Sequence, residues 1–132
     1  MARPFINRRV SIPPRTRSFS PCSTSRKEIE YLELKWEEYE AFKLVYYDDL
    51  NHLRASKHME VSRPTFTRIF NSALKKISKA FVEAKGIKFS KGNAVLQGDW
   101  YECYNCDAIF TIPAAYLDRL CPICNTDLFT SF

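Results

Sequence analysis

Four cysteines near the C-terminus constrain this 132-residue chain more than any other feature. Cys103 and Cys106 form one C-x2-C pair, fourteen residues follow, and Cys121 and Cys124 form a second pair. Each pair can make a tight knuckle, and two knuckles can close a tetrahedron of thiolates around one metal ion. Disulfides or a redox-active dithiol are the alternative, but neither needs two equally spaced pairs. The spacing therefore predicts a zinc ribbon that binds one Zn²⁺.

The flanking residues predict a small β module around these cysteines. Segments 100–103 and 109–112 can form a hairpin, and 127–129 can add a third strand. Asp107 and Asn125 follow the knuckles, where glycine is common, and both residue types tolerate a left-handed conformation. The fifth cysteine, Cys22, has no second cysteine nearby and is interpreted as an incidental thiol.

The predicted zinc site is structural rather than catalytic. A catalytic zinc keeps an open position with a base nearby, whereas four cysteines fill the coordination shell. His52 and His58 lie six residues apart, about 240° around a helix, so they cannot form one site together. The sequence has neither a nucleophile–base pair nor a phosphate loop. We therefore expect no enzymatic activity and identify no small-molecule substrate.

Charge is distributed in four blocks along the chain. The net charge of +5 divides into +7 over residues 1–27, −5 over 28–60, +7 over 61–92 and −4 over 93–132. Two basic blocks separated by an acidic one indicate a bipartite nucleic-acid surface, although solvated surface charge is the alternative. No apolar run approaches the roughly 20 residues that cross a bilayer, and no secretory signal is present. We expect a soluble cytoplasmic protein that associates with the nucleoid.

The stretch Val61–Ala84 predicts one long helix with a sharp start. Ser62 is a good N-cap, and Pro64 falls in the first turn, where its missing N–H costs nothing. Apolar residues recur with the 3.6-residue period of a helix that packs on a core, and the opposite face is basic. Such a helix requires a core on one side and suits a polyanion on the other.

The residues before this helix predict a helix-turn-helix, with a generic helical bundle as the alternative. Helical spacing over residues 28–49 indicates a first helix, whose early glutamates suit the positive end of the helix dipole. Asn51 can cap a short second helix, which the turn Glu60–Ser62 separates from the long one. Glu60 stands where glycine is favoured, so we expect a left-handed or strained backbone at this residue.

Several segments together resemble one family. They are M-A-R-P at the start, R-R-V at 8–10, L-K-W-E-E-Y-E-A-F-K-L at 34–44, and V-S-R-P-T-F-T-R-I-F with A-L-K-K-I-S-K-A-F-V at 61–82. The resemblance covers residues 1–92. It is to an uncharacterised family of small prokaryotic predicted DNA-binding proteins, whose helix-turn-helix is similar to region 4 of bacterial sigma factors. This chain has M-E-V-S where the family favours M-G-V-S, and Arg54 instead of a capping-box glutamate.

Within this pattern, the exposed N-terminal end of the long helix would face DNA bases. Arg63 and Arg68 can each contact guanine through two hydrogen bonds, although Arg68 could instead pair with an acid of the first helix. The residues predicted to face bases are Ser62, Arg63, Thr65, Thr67 and Arg68. Those predicted to contact phosphate are Lys75, Lys76 and Lys79 and, in an N-terminal arm that could also be a flexible tail, Arg8 and Arg9.

The sequence thus predicts a mainly α chain, in which a sigma region-4-like helix-turn-helix domain precedes a small β zinc ribbon. The expected boundaries are a basic Pro/Arg-rich arm at 1–27, the helix-turn-helix domain at 28–85, a linker at 86–98 and the ribbon at 99–132. The leading hypothesis is sequence-specific binding of double-stranded DNA by a transcriptional regulator. The alternative is a non-enzymatic adaptor whose acidic ribbon contacts transcription machinery, another protein or a second copy of the chain.

Overall fold

Strands and helices alternate along the residues that a computed structural model of the chain describes, which are 8–11, 13–22, 28–92, 94–96, 99–111 and 119–131. The helical elements are α1 (Trp36–Phe42), a π-helical turn (Lys43–Tyr47) that continues it, α2 (His52–His58) and α3 (Arg63–Glu83). The strands are β1 (Arg8–Val10), β2 (Ser18–Phe19), β3 (Tyr31–Lys35), β4 (Gly86–Ser90), β5 (Ala94–Leu96), β6 (Tyr101–Cys103), β7 (Ile109–Phe110) and β8 (Phe129–Ser131).

The long helix α3 packs against α1 and α2 through one apolar core. Phe66 is fully buried and stacks on Phe70, with 6.0 Å between ring centroids. The His52 ring of α2 meets both of these rings edge-on, at 5.4 and 4.9 Å. The buried core residues are Ala41, Leu44, Ala55, Met59, Phe66, Ile69 and Phe70. The predicted apolar face of the long helix is confirmed from Phe66 to Ala80, whereas Phe81, which has the same helical period, is 89% exposed.

The prediction of a mainly α fold is wrong. Among the described residues, eight strands form three small sheets. Two of these sheets, one of β1 and β5 and one of β2, β4 and β3, lie outside the cysteine module. In one sheet, β4 lies between β2, which is antiparallel to it, and β3, which is parallel to it. In another, β1 and β5 pair in parallel. The chain is a mixed α and β protein, in which the connection between β3 and β4 contains every described helix.

The error arose from residues 28–35, which were assigned to the first helix. In β3 the apolar side chains of Leu32 and Leu34 alternate with outward-facing polar ones, which is the two-residue period of a strand. Five residues are too few for this period to stand out beside the helical pattern that begins at Trp36. The partner strand β4 lies more than 50 residues further along the chain, so no local signal revealed the pairing.

Residues 86–98, which were expected to be a linker, contain β4 and β5. Ala84 takes the left-handed position just beyond α3 (φ 54°), and Gly86 begins β4. A Cβ atom on Gly86 would lie 2.4 Å from the ring of Tyr31, so the close approach of the two strands requires a glycine here.

Three glutamates of α1 are buried, and each has a partner from elsewhere in the fold. Glu37 lies 2.6 Å from the Arg8 guanidinium. Glu38 lies 2.8 Å from Lys76 Nζ of α3 and also accepts hydrogen bonds from the Ser72 hydroxyl and the Lys35 N–H. Burial alone would raise the pKa of Glu38, but these donors outweigh it and lower the pKa. The remaining acid, Glu40, accepts a hydrogen bond from Ser11 (2.8 Å) and lies 3.7 Å from Lys43.

The ion pair between Glu38 and Lys76 makes a prediction about stability. Lys76→Ala should lower the free energy of unfolding by roughly 1–3 kcal/mol, because it leaves a buried carboxylate short of a donor. The folded pKa of Glu38 is depressed, so this contribution is present above its ordinary value of 4.5 and is lost as the pH falls through the folded pKa. Urea denaturation at neutral and acidic pH measures both effects.

The matched control is Lys79→Ala, which removes the same charge one turn further along α3. Lys79 is exposed and forms no ion pair with a described residue, so its loss should change stability by less than about 0.5 kcal/mol. Equal destabilisation by the two substitutions would contradict the structural role of Lys76.

Candidate nucleic-acid interface and metal centre

The first two turns of α3 carry a chain of polar contacts. The Ser62 hydroxyl caps the helix by accepting from the Thr65 N–H (3.3 Å), which confirms the predicted N-cap. The Thr65 hydroxyl oxygen in turn accepts from Ser62 Oγ (2.9 Å) and from Arg68 Nη2 (3.3 Å). Thr65 therefore holds the Arg68 side chain along the outside of the helix. Arg68 forms no ion pair with an acid of α1 among the described residues.

The turn before α3 ends α2 with a Schellman motif. The Val61 N–H donates to the Ser56 carbonyl (3.1 Å), and the Glu60 N–H donates to the Lys57 carbonyl (3.2 Å). Glu60 occupies the position that favours glycine and has φ 56°, so the predicted left-handed conformation is confirmed. Asn51 caps α2 at the other end, as predicted, by accepting from the Arg54 N–H.

Three long side chains make up the exposed basic face of α3. Arg68, Lys75 and Lys79 lie within about 40° of one another around the helix axis. All three are exposed, and none forms an ion pair with a described residue. Arg63 is also exposed and unpaired among these residues, at the start of the helix. The sequence interpretation overlooked Asn71, which is exposed between Arg68 and Lys75 and could have been found from the same helical period.

The other predicted contact residues interact with side chains elsewhere in the protein. Thr67 is half-buried, and its hydroxyl lies 3.2 Å from Nδ1 of His52 in α2. Lys76 pairs with Glu38, and Arg8 pairs with Glu37, as described above. Arg9 lies 3.6 Å from Glu60. The structure thus separates the ten predicted side chains into an outward-facing group on α3 and a group that stabilises the fold.

The four sulfur atoms of the cysteine cluster all lie within 4.8 Å of one another. Cys103 Sγ is 3.6 Å from Cys124 Sγ, and Cys106 Sγ is 3.5 Å from Cys121 Sγ. In a tetrahedral site with Zn–S bonds of about 2.3 Å, neighbouring sulfurs are about 3.8 Å apart. Four sulfur donors at this spacing can hold a metal ion such as Zn²⁺.

Local backbone geometry brings the two cysteine pairs together. Asp107 and Asn125 adopt the predicted left-handed conformation after the knuckles, with φ 61° and 59°. The Asp107 N–H donates back to the Cys103 carbonyl, and the Asn125 N–H donates back to the Cys121 carbonyl. The predicted hairpin is present, since β6 pairs with β7, and the third strand, β8, lies two residues further along than predicted, at Phe129–Ser131. Residue 112, at the end of the predicted second strand, lies outside the described residues.

Acidity differs among the thiols of this cluster. Hydrogen bonds from the Thr126 hydroxyl and the Asn105 side chain stabilise the thiolate of Cys124 and lower its pKa to about 6. Burial raises the pKa of Cys106 to about 12, and hydrogen bonds with the neighbouring thiols act in the same direction. At neutral pH, a metal that binds here must displace the proton of Cys106, because the metal ligand is the thiolate.

Comparison with known proteins places the chain in a family. A family described as "Protein of unknown function DUF134" matches residues 1–97. The chain belongs to this family. A UPF0251 protein of Chloroherpeton thalassium is 36% identical over 127 residues, which are 96% of this chain and 84% of that protein. UPF0251 proteins of Clostridium beijerinckii and Halothermothrix orenii are 37% and 34% identical, over 96% of this chain and 86% and 97% of theirs.

The DUF134 match ends before the cysteine module, whereas the matches to UPF0251 proteins extend over nearly the whole chain. No solved structure matches the chain. Among the described helices of this DUF134 member, none combines the length and apolar composition that crossing a membrane requires.

The raised pKa of Cys106 makes a prediction about metal affinity. Binding of Zn²⁺ should release at least one proton at pH 7, so the apparent affinity should fall about tenfold per unit decrease in pH for each proton displaced. Competition with a chromophoric chelator between about pH 6 and 8 measures this slope. Cys106→Ser should abolish tight binding, whereas Cys22→Ser, outside the cluster, should leave it unchanged. An affinity independent of pH would show that the thiols are already ionised.

Proposed function

We propose that the chain binds double-stranded DNA sequence-specifically, with the N-terminal part of α3 in the major groove, and that it acts as a transcriptional regulator at the nucleoid. One observation carries the proposal. Four basic side chains are exposed on α3 and form no ion pair with a described residue: Arg63, Arg68, Lys75 and Lys79. The succession of a short helix, a tight turn and a longer helix is that of helix-turn-helix proteins, whose second helix enters the groove.

Hydrogen bonds at this end of α3 support base recognition. The Ser62 cap and the Thr65 hydroxyl hold Arg68 in a defined orientation, so less side-chain entropy is lost on binding. Arginine can donate two hydrogen bonds to guanine, and asparagine can do the same with adenine. Arg63, Arg68 and Asn71 are therefore the proposed base contacts.

The second half of α3 is proposed to contact the phosphate backbone. The helix is about 31 Å long at 1.5 Å per residue, so Lys75 and Lys79 lie beyond the part that a major groove accommodates. Their positive charges would set affinity and salt dependence rather than sequence preference. Lys76 is excluded from this role because Glu38 neutralises it.

The cysteine cluster is proposed to hold one structural Zn²⁺. Four cysteines leave no open coordination position, and a full sulfur shell is typical of zinc that stabilises a small fold. Metal analysis of natively purified protein should give about one zinc per chain. Protein that is reduced and fully active in DNA binding but contains no metal would contradict this assignment.

A second candidate function is favoured by the surface of the cysteine module. The side chains of Tyr104, Ile123 and Leu128 are 62%, 70% and 56% exposed, although all three are large and apolar. Exposed apolar side chains on an acidic module suit a protein contact better than a phosphate contact. In this alternative, the chain is an adaptor that contacts transcription machinery. Sedimentation with purified RNA polymerase, with Ile123→Ser as the variant, tests it.

Two substitutions on α3 test base recognition against phosphate contact. A target is first selected from a random pool of duplexes. Arg68→Ala should then weaken binding to the target by about 1–3 kcal/mol, with a much smaller effect on random duplex. Lys79→Ala should weaken both similarly and reduce the slope of log affinity against log salt by about one. Wild-type binding that does not respond to salt would refute DNA binding by this face.

A further inference from the structure

The N-terminal arm contacts the turn before α3. We define the arm strap as residues 8–11 and 13–17. In the strap, the Arg9 N–H donates to the Met59 carbonyl at 3.1 Å, and the Arg9 guanidinium lies 3.6 Å from the Glu60 carboxylate. Glu60 holds a left-handed backbone that non-glycine residues seldom adopt. The strap therefore contacts the turn between α2 and α3 at Met59 and at the left-handed Glu60.

The other end of the arm strap contacts the cysteine module. The Arg17 guanidinium bonds to the Glu102 carboxylate and lies 3.4 Å from the carboxylate of Asp107. In addition, the Ile109 N–H donates to the Arg15 carbonyl at 3.1 Å. Asp107 follows Cys106 and closes the first knuckle with its left-handed backbone. Arg17 is thus paired with the residue that directly follows Cys106, one of the four clustered cysteines.

Between these ends, three residues of the arm strap are buried. Val10 is fully buried in a cluster that also contains Trp36 of α1 and Ile109 of the cysteine module, so this cluster joins the helical part to the module. Pro13 and Pro14 are each less than 2% exposed, and their rings restrict the backbone. A densely packed segment transmits a displacement from one end to the other rather than absorbing it.

We propose that metal binding at the four cysteines and DNA binding by α3 are coupled through the arm strap, with Arg9 and Arg17 as positioning residues. The coupling rests on the proposed DNA-binding function. Small four-thiolate modules depend on their metal for folding. Without the metal, Glu102 and Asp107 no longer hold Arg17, the strap loosens, and Glu60 loses its partner. By linkage, DNA binding must strengthen metal binding by the same factor.

Hydrogen exchange tests the structural part of this coupling without DNA. Removal of zinc with a chelator should speed exchange of the Arg9 and Val61 amides by at least about tenfold, together with the Ile109 amide of the module. The Ala73 amide, in the middle of α3, serves as the control and should remain protected. Fast exchange at Ile109 with unchanged exchange at Arg9 and Val61 would overturn the proposal.

Linked titrations test the functional part. Zinc should tighten binding of the wild-type chain to its selected duplex by about 5- to 150-fold, and the duplex should tighten zinc binding equally. Arg17→Gln should remove most of this mutual effect, whereas Arg17→Lys, which keeps the charge beside Glu102, should preserve it. Arg15→Gln is the matched control, because it removes the same charge two residues away while its backbone contact to Ile109 remains.

The salt dependence separates positioning from direct contact. If Arg17 only positions the strap, Arg17→Gln should leave the slope of log affinity against log salt unchanged, whereas loss of a phosphate contact lowers it by about one. Equal DNA affinity with and without zinc would refute the coupling and leave DNA binding intact. If neither form binds DNA, the proposed function fails, and the hydrogen-exchange result alone decides whether the strap links the two parts.

Discussion

Neutralisation of three buried carboxylates on α1 is the constraint on which the rest of the fold depends. Glu37, Glu38 and Glu40 are 5%, 4% and 1% exposed, and an isolated charge at such a depth costs several kcal/mol. Their partners come from different segments, so α1 can be buried only when those segments are in place. The partners are Arg8 and Ser11 of the arm, Lys43 beyond α1, and Lys76 and Ser72 of α3.

This internal pairing also decides which charges remain for a partner molecule. Lys76 and Lys79 are both basic residues of α3, yet one neutralises Glu38 and the other faces outward. Three arginines of the arm are paired in the same way. Arg8 pairs with an acid of α1, Arg9 with an acid of the turn and Arg17 with an acid of the cysteine module. The proposed DNA surface is therefore narrower than the basic composition of the chain suggests. It consists of one side of α3 and the start of that helix.

The cysteine module is connected to this surface through the arm. Arg17 pairs with acids beside the first knuckle, and Arg9 of the same segment pairs with Glu60 in the turn. In the proposed coupling, a metal ion in the module would stabilise the arm, and the arm would in turn stabilise the turn before α3. The left-handed position in that turn is occupied by Glu60 rather than by a glycine. The described residues of the arm therefore contact both the turn before α3 and the cysteine module.

The sequence by itself determined the features that depend on near neighbours: the caps at Asn51 and Ser62, the apolar face of α3, the left-handed Glu60, and the gathering of four cysteines in two knuckles. These signals are local, because a cap, a helical period or a knuckle involves residues within a few positions. Only the tertiary structure decided the pairing of β3 with β4 and of the arm with β4 and β5. Only it decided which arginines and lysines pair with acids far along the chain. Those partners are separated by about 30 to 85 residues and leave no periodic trace in the chain.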